Sequence, residues 1–218
     1  MTIKAVIFDF GGVILALPDE AHREGWARRL GLSREALTEA LWGENWHALE
    51  RGQIDDETYH RRMGQALGLP DREAVRRFLA EFYADERPFP QVLDLIGRLR
   101  ETGRVRLGLL TNAFVGQDRV AHRKWGLDLH AIFDVYVNSA EVGLVKPDPA
   151  IFELTLARLG VSPGEAVFID DGAVNVRAAA QLGMHAIHVD TPQALDEVIA
   201  QVERLVESNT DFGMERIG

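Results

Sequence analysis

Four separate stretches of the chain place a charged or hydroxyl side chain at or soon after the end of an apolar run. Asp9 follows Val6-Ile7-Phe8, Thr111 and Asn112 follow Leu109-Leu110, and Asp170-Asp171 follow Val167-Phe168-Ile169. Lys146 comes shortly after a run that ends at Asn138. Together they supply three carboxylates, a hydroxyl and an ammonium. Opposed carboxylate oxygens suit Mg²⁺, a hard octahedral cation. The cation and Lys146 would neutralise a phosphoryl group, and Thr111 would hydrogen-bond its oxygens. A carboxylate held close to phosphorus can attack it and form an acyl phosphate. Gly11 and Gly12, directly after Asp9, would let the backbone approach the phosphate.

Taken singly, each residue has a plainer use. Asp9 could cap a helix or a turn, as could Thr111 and Asn112. Lys146, followed by Pro147, could be a loop residue. The Asp170-Asp171 pair is harder to dismiss, because adjacent carboxylates repel and call for a cation or a proton. Only Lys4, Lys124 and Lys146 are lysines among the 24 basic residues, which sets Lys146 apart.

These residues can act together only if their apolar runs lie side by side. Five runs predict buried strands: Lys4–Phe8, Val105–Leu110, Val135–Asn138, Ala166–Ile169 and Ala186–Val189. They are rich in Val, Ile, Leu and Phe with little alternation, as for strands covered on both faces. Helical patterns span Pro90–Arg100, Pro149–Leu159 (with Asp148 as N-cap), Gly172–Leu182 and Gln193–Val206. Strand–helix alternation predicts an α/β fold with an open, mostly parallel sheet. Ligands of such sheets bind beyond the strand C-termini, where all four stretches deliver their polar residues.

Between Pro18 and Arg87 the alternation stops. Only helical patterns remain: Glu20–Leu30, Ser33–Trp42, Asp55–Leu67 and Asp71–Tyr83, punctuated by glycines. The expected organisation is a core of residues 1–17 and 88–209, an inserted all-helical cap of residues 18–87, and a flexible tail at 210–218.

Composition bounds the partners. The chain has 218 residues, 46% hydrophobic and 27% charged, enough for one large α/β domain or a core with a smaller insertion. A formal charge of −10 argues against nucleic acid. The absence of cysteine excludes disulfides, Cys-ligated metals and thiol catalysis, and fits a cytoplasmic setting. Met1–Leu17 has the look of a leader, but Asp9 interrupts its apolar run. No stretch approaches the roughly 18 apolar residues of a spanning helix, so no membrane association is expected.

The motif segments resemble the haloacid dehalogenase-like (HAD) hydrolase superfamily, in the subfamily with a helical C1 cap. They are Ala5–Ile14, Leu109–Asn112, Ser139–Phe152 and Val167–Asn175. The resemblance implies a Rossmann-like core and a Mg²⁺-dependent phosphatase acting on a small phosphorylated metabolite, as a monomer or homodimer. It implies Asp9 as nucleophile and metal ligand, Thr111 as phosphoryl-binding residue and Lys146 as the charge stabilising both. Asp171, Asp170 and the carbonyl of Gly11 would complete the metal site, Gly12 and Asn112 would contact substrate, and Asn175 would position the loop. The segment Gly43–Ile54 is similar to caps of sugar-phosphate phosphatases in this group, which makes a sugar phosphate a candidate and points to Asn45 and His47 as cap contacts.

One position departs from the pattern. Family phosphatases usually carry a second Asp two residues after the nucleophile, as general acid; here it is Gly11. His47 is a candidate substitute, and filling the cap interior is its plainer reading. Gly11 also keeps open a HAD protein that binds phosphate compounds without turnover. A 2-haloacid dehalogenase with Asp9 attacking carbon is a further alternative, against which Asp171 argues.

Overall fold

The five apolar runs pair into one parallel sheet in a computed structural model that describes residues 2–208. The strands are β1 (Ala5–Phe8), β2 (Arg106–Thr111), β3 (Val135–Asn138), β4 (Ala166–Asp170) and β5 (His185–His188), in the order β3-β2-β1-β4-β5. β1 is central, with Phe8 opposite Leu109 of β2 and Ile169 of β4. Each strand lies within a residue of its expected place. Two extend one residue further than expected, so Thr111 and Asp170 are themselves the last residues of their strands.

The helices are α1 (Glu20–Leu30), α2 (Arg34–Trp42), α3 (Glu44–Glu50), α4 (Asp56–Ala66), α5 (Arg72–Phe82), α6 (Pro90–Thr102), α7 (Gln117–Trp125), α8 (Leu129–Ile132), α9 (Ser139–Val142), α10 (Pro149–Leu159), α11 (Ala173–Gln181) and α12 (Leu195–Glu207). Side chains alternate across the sheet, as strand geometry requires. Val6 and Phe8, with Leu107, Leu109, Val167 and Ile169, pack under α6 and α12. Ala5 and Ile7, with Leu110, Val137 and Phe168, pack under α10 and α11. Cap side chains start several helices: Asp148 accepts from the Ala150 N–H, as expected, and Ser33, Asp55 and Asp71 cap α2, α4 and α5 in the same way.

Residues 20–82 form five helices around their own apolar cluster, which includes Leu37, Leu41, Met63, Phe78 and Phe82. The segments entering and leaving this unit run antiparallel, with the Ala16 N–H on the Arg87 carbonyl and the Phe89 N–H on the Ile14 carbonyl. Four helices had no counterpart in the sequence pattern. Among them α7 is polar along most of its length and fully buries only Ala121. α3 is seven residues long and follows directly on Gly43, which reads in sequence as a break. The expected tail at 210–218 lies outside the described residues. No helix among the described residues is long and apolar enough to cross a membrane.

Phe152 is fully buried and meets Phe168 edge to face at 5.2 Å between ring centroids. Phe152→Ala is expected to lower the unfolding free energy by about 3–5 kcal/mol, measured by urea denaturation.

Candidate active site

The geometry of the site follows from where the strands stop. The Asp9 N–H donates to the Ile169 carbonyl at 2.9 Å, which carries the β1–β4 ladder one residue past β1 and fixes the Asp9 backbone. Thr111 ends β2, 2% exposed. Its hydroxyl makes no hydrogen bond among the described residues. Asp170 ends β4 and is fully buried. β2, β1 and β4 are neighbours, so their three C-terminal ends open onto one crevice.

Lys146 enters from the loop between α9 and α10. Its backbone is clamped by Asn112, which accepts from the Lys146 N–H at 2.9 Å and donates to the Lys146 carbonyl at 3.0 Å. Its ammonium donates to Asp9 Oδ1 at 2.7 Å, Asp170 Oδ2 at 2.6 Å and the Leu110 carbonyl at 3.1 Å. All three ammonium protons therefore have acceptors. Asp170 Oδ1 accepts from the Gly172 N–H at 2.7 Å and from Asn175 Nδ2 at 2.9 Å. Asp170 is thus held on both oxygens, whereas Asp9 is held through Oδ1 and presents Oδ2.

Asp9, Asp170 and Asp171 each offer an oxygen within 4.8 Å of the other two. Three carboxylates against one ammonium leave a local charge of −2 when all are ionised. An all-oxygen donor set with that charge fits a hard divalent cation. Burial dominates the Asp9 pKa; Lys146 offsets it in part, Asp170 and Asp171 add to it, and the result is about 7. Burial and then the Asp170 charge raise Asp171 as well. For Lys146, burial acts downward, but the Asp9 and Asp170 charges outweigh it and hold the pKa above the ordinary lysine value.

The two glycines after Asp9 serve different ends. Gly12 has φ +74°, and a Cβ there would overlap the Asp171 carboxylate. Its N–H donates to the Leu15 carbonyl at 2.8 Å. Gly12 therefore makes room for Asp171, and its amide is already engaged. Gly11 has no such crowding: a Cβ would lie 3.5 Å from the nearest atom, in the Leu17 side chain.

The cap candidates are engaged within the cap. Asn45 accepts from Arg62 at 3.3 Å. His47 Nδ1 pairs with Glu50 Oε1 at 2.8 Å. Its ring is exposed, so it does not fill the cap interior, while Glu50 is buried. Trp42 and Trp46 pack at the margin of the cap cluster. The turn after α3 rests on α9, where Gly52 lies against the Ala140 carbonyl.

Sequence reasoning missed the residues that hold the Thr111 loop. Ser139 Oγ accepts from the Ala113 N–H at 3.0 Å, and Asn138 Nδ2 donates to the Phe114 carbonyl at 2.9 Å. The signal was a polar pair at a strand end, the same signal as at the other three strands. It also missed Glu50, and the contact between His188 Nε2 and the Asp171 carbonyl at 2.9 Å. A cavity of about 800 Å³ lined by Lys4, Arg104, Arg106 and Asp134 opens at the other, N-terminal edge of the sheet, away from these residues.

A strand-end carboxylate trio around a buried lysine, on this sheet order, defines a class. The chain belongs to the haloacid dehalogenase-like hydrolase family, whose model matches residues 3–183. It is 32% identical over 200 residues to a phosphoserine phosphatase of Thermus thermophilus, covering 86% of this chain and 78% of that protein. It is 30% identical over 191 residues to a sesquiterpene phosphatase of Aspergillus oryzae, covering 86% of this chain and 90% of that protein. Acyl-CoA dehydrogenase family member 10 of Mus musculus is 31% identical over 202 residues; the match covers 87% of this chain but only 18% of that protein. A solved HAD-like family hydrolase from Porphyromonas gingivalis superposes with a TM-score of 0.74 at 26% identity, covering 94% of this chain and 99% of that one. A HAD family enzyme of Bacteroides thetaiotaomicron, solved with magnesium and inorganic phosphate, superposes at 0.70 and 22% identity, covering 85% and 93%.

The raised Asp9 pKa sets a sign for stability. Burial lifts the Asp9 pKa from an ordinary 3.8 to about 7. The folded state then binds more protons than the unfolded chain between those limits, so this contribution to stability is lost as pH rises. In EDTA, wild type should lose stability relative to Asp9→Asn from about pH 4 to about pH 7, in urea melts of the two proteins. Parallel pH curves would sink the assignment.

Proposed function

We propose that this hydrolase is a Mg²⁺-dependent phosphatase of a small phosphomonoester, working through an aspartyl-phosphate on Asp9. The observation that carries the reading is the Lys146 ammonium shared between Asp9 Oδ1 and Asp170 Oδ2, which leaves Asp9 Oδ2 aimed by a buried, fully paired anchor. Asp9 and Asp171 would hold Mg²⁺ directly, with the Gly11 carbonyl, and Asp170 would stand behind them on Lys146. The cation supplies charge neutralisation of the phosphoryl oxygens and of the carboxylate trio. The neighbour solved with magnesium and inorganic phosphate, and the two phosphatase relatives, support the same class.

The residues of this chain carry the steps. Thr111 donates its free hydroxyl to a phosphoryl oxygen. Lys146, together with the cation, favours the ionised form of Asp9 and compensates charge on the equatorial oxygens. Asp9 Oδ2 attacks phosphorus in line and the alcohol leaves. Water then attacks the phosphorus of the acyl phosphate and restores Asp9. Asn112 acts one step back, by clamping Lys146, and Asn175 by holding Asp170. Residues 18–87 form the cap over a core of 1–17 and 88–209, and a sugar phosphate is one substrate the cap segment suggests.

Leaving-group protonation has no carboxylate at position 11. The exposed His47 ring, backed by the buried Glu50 carboxylate, is the proposed donor from the cap. Gly11 favours a second reading, a phosphate-compound binder without turnover, and the dehalogenase alternative stays distinguishable because it needs no metal.

Phosphate release from p-nitrophenyl phosphate should require Mg²⁺, stop in EDTA, and fall at least about 10³-fold in Asp9→Asn. Mg²⁺-dependent binding of phosphate with no release would favour the binder, and 2-haloacid turnover in EDTA the dehalogenase. His47→Gln should slow esters of poor leaving groups by about 10²-fold while sparing p-nitrophenyl phosphate, and Gly11→Asp, whose Cβ would make only ordinary contact with Leu17, should restore the loss. Unchanged turnover in His47→Gln would dispose of the histidine.

A further inference from the structure

Among the described residues only three large apolar side chains are exposed: Leu17 at 43%, Val115 at 49% and Val174 at 54%. Singly, such residues need no explanation. Their positions do. Leu17 lies in the segment that follows Asp9, Val115 in the loop that follows Thr111 and Asn112, and Val174 in the first turn of α11, three residues after Asp171. Those segments leave the C-terminal ends of β1, β2 and β4, which are adjacent in the sheet. Among the described residues the exposed large apolar side chains therefore all lie on the segments that follow the three strand ends carrying the candidate catalytic residues.

We propose that Leu17, Val115 and Val174 form an apolar rim that selects phosphomonoesters of apolar alcohols. The inference rests on the phosphatase reading and names its substrate class. The occupant follows from continuity with the site. Leu17 Cδ atoms lie 3.5 and 3.7 Å from where a Gly11 Cβ would be, two residues from the nucleophile. Leucine therefore borders the position from which a residue-11 side chain would project. Phe114, next to Val115, is partly buried against the cap cluster, so apolar surface continues from the rim toward the cap. The phosphate end is served by Lys146, Thr111 and the carboxylate trio, and the rim is left for the organic end. A sugar would place hydroxyls against side chains that offer no hydrogen bond. An alkyl or prenyl-like chain would bury methylenes there, each worth about fourfold in binding.

The test compares hexyl phosphate with glucose 6-phosphate, two primary esters of six-carbon alcohols that differ in their hydroxyls. Wild type with Mg²⁺ should show a kcat/KM at least about tenfold higher for hexyl phosphate. The triple variant Leu17→Ser, Val115→Ser, Val174→Ser changes exposed positions only, and should lower the hexyl-to-glucose ratio by about tenfold. A wild-type ratio near one or in favour of the sugar ester, with release still dependent on Asp9, overturns the rim and leaves the phosphatase standing. An unaltered ratio in the triple variant overturns it too. A change of oligomeric state in that variant, by sedimentation, would assign the three side chains to a contact with a second copy instead. Release from neither ester nor from p-nitrophenyl phosphate removes the phosphatase reading itself, and this inference with it.

Discussion

The Lys146 ammonium sits between Asp9 and Asp170 with its side chain 1% exposed, and nearly everything around it exists to make that burial tolerable. Burying an ammonium costs several kcal/mol unless each proton finds an acceptor. Here the acceptors come from three strand ends: Asp9 just beyond β1, the Leu110 carbonyl near the end of β2, and Asp170 at the end of β4. A parallel sheet with β1 central is what brings those ends together. Asn112 then fixes the Lys146 backbone from both sides, so the loop between α9 and α10 cannot carry the ammonium away.

The same arrangement leaves the site short of positive charge. One lysine cannot neutralise three carboxylates, and burial together with the Asp170 and Asp171 charges raises the pKa of Asp9. A divalent cation held by the trio would offset that deficit and favour the ionised form of Asp9. Gly12 belongs to this economy of space. Without its Cβ, the Asp171 carboxylate can approach the segment after Asp9, and any side chain at φ +74° would meet it.

Much of the core could be read from sequence because it is buried on two faces. Runs such as Val167-Phe168-Ile169 have no amphipathic disguise, and polar residues directly after them mark the strand ends. That is why Asp9, Thr111 and Asp170-Asp171 were legible as a group. Elements with weak burial were not. α7 fully buries a single alanine, and α3 is capped by a glycine and only seven residues long, so neither produces a clear helical pattern. Roles that depend on a distant partner were also out of reach. Asn112 was expected to contact substrate, but its carbonyl oxygen and an amide proton are engaged by a backbone 34 residues away. Gly12 was expected to contact substrate, and its own amide is bonded to the Leu15 carbonyl. Glu50, buried behind His47, gave no sign among the other acidic residues of the cap.

The central claim is that Asp9 becomes phosphorylated. The direct measurement is to quench the enzyme in acid during turnover of a ³²P-labelled phosphomonoester, digest it, and locate the label by mass spectrometry and its sensitivity to neutral hydroxylamine. The account predicts an acid-stable, hydroxylamine-labile phosphoryl group on the peptide that carries Asp9. Label on a histidine, or steady substrate consumption with Asp9 unmodified at every quench time, would contradict it.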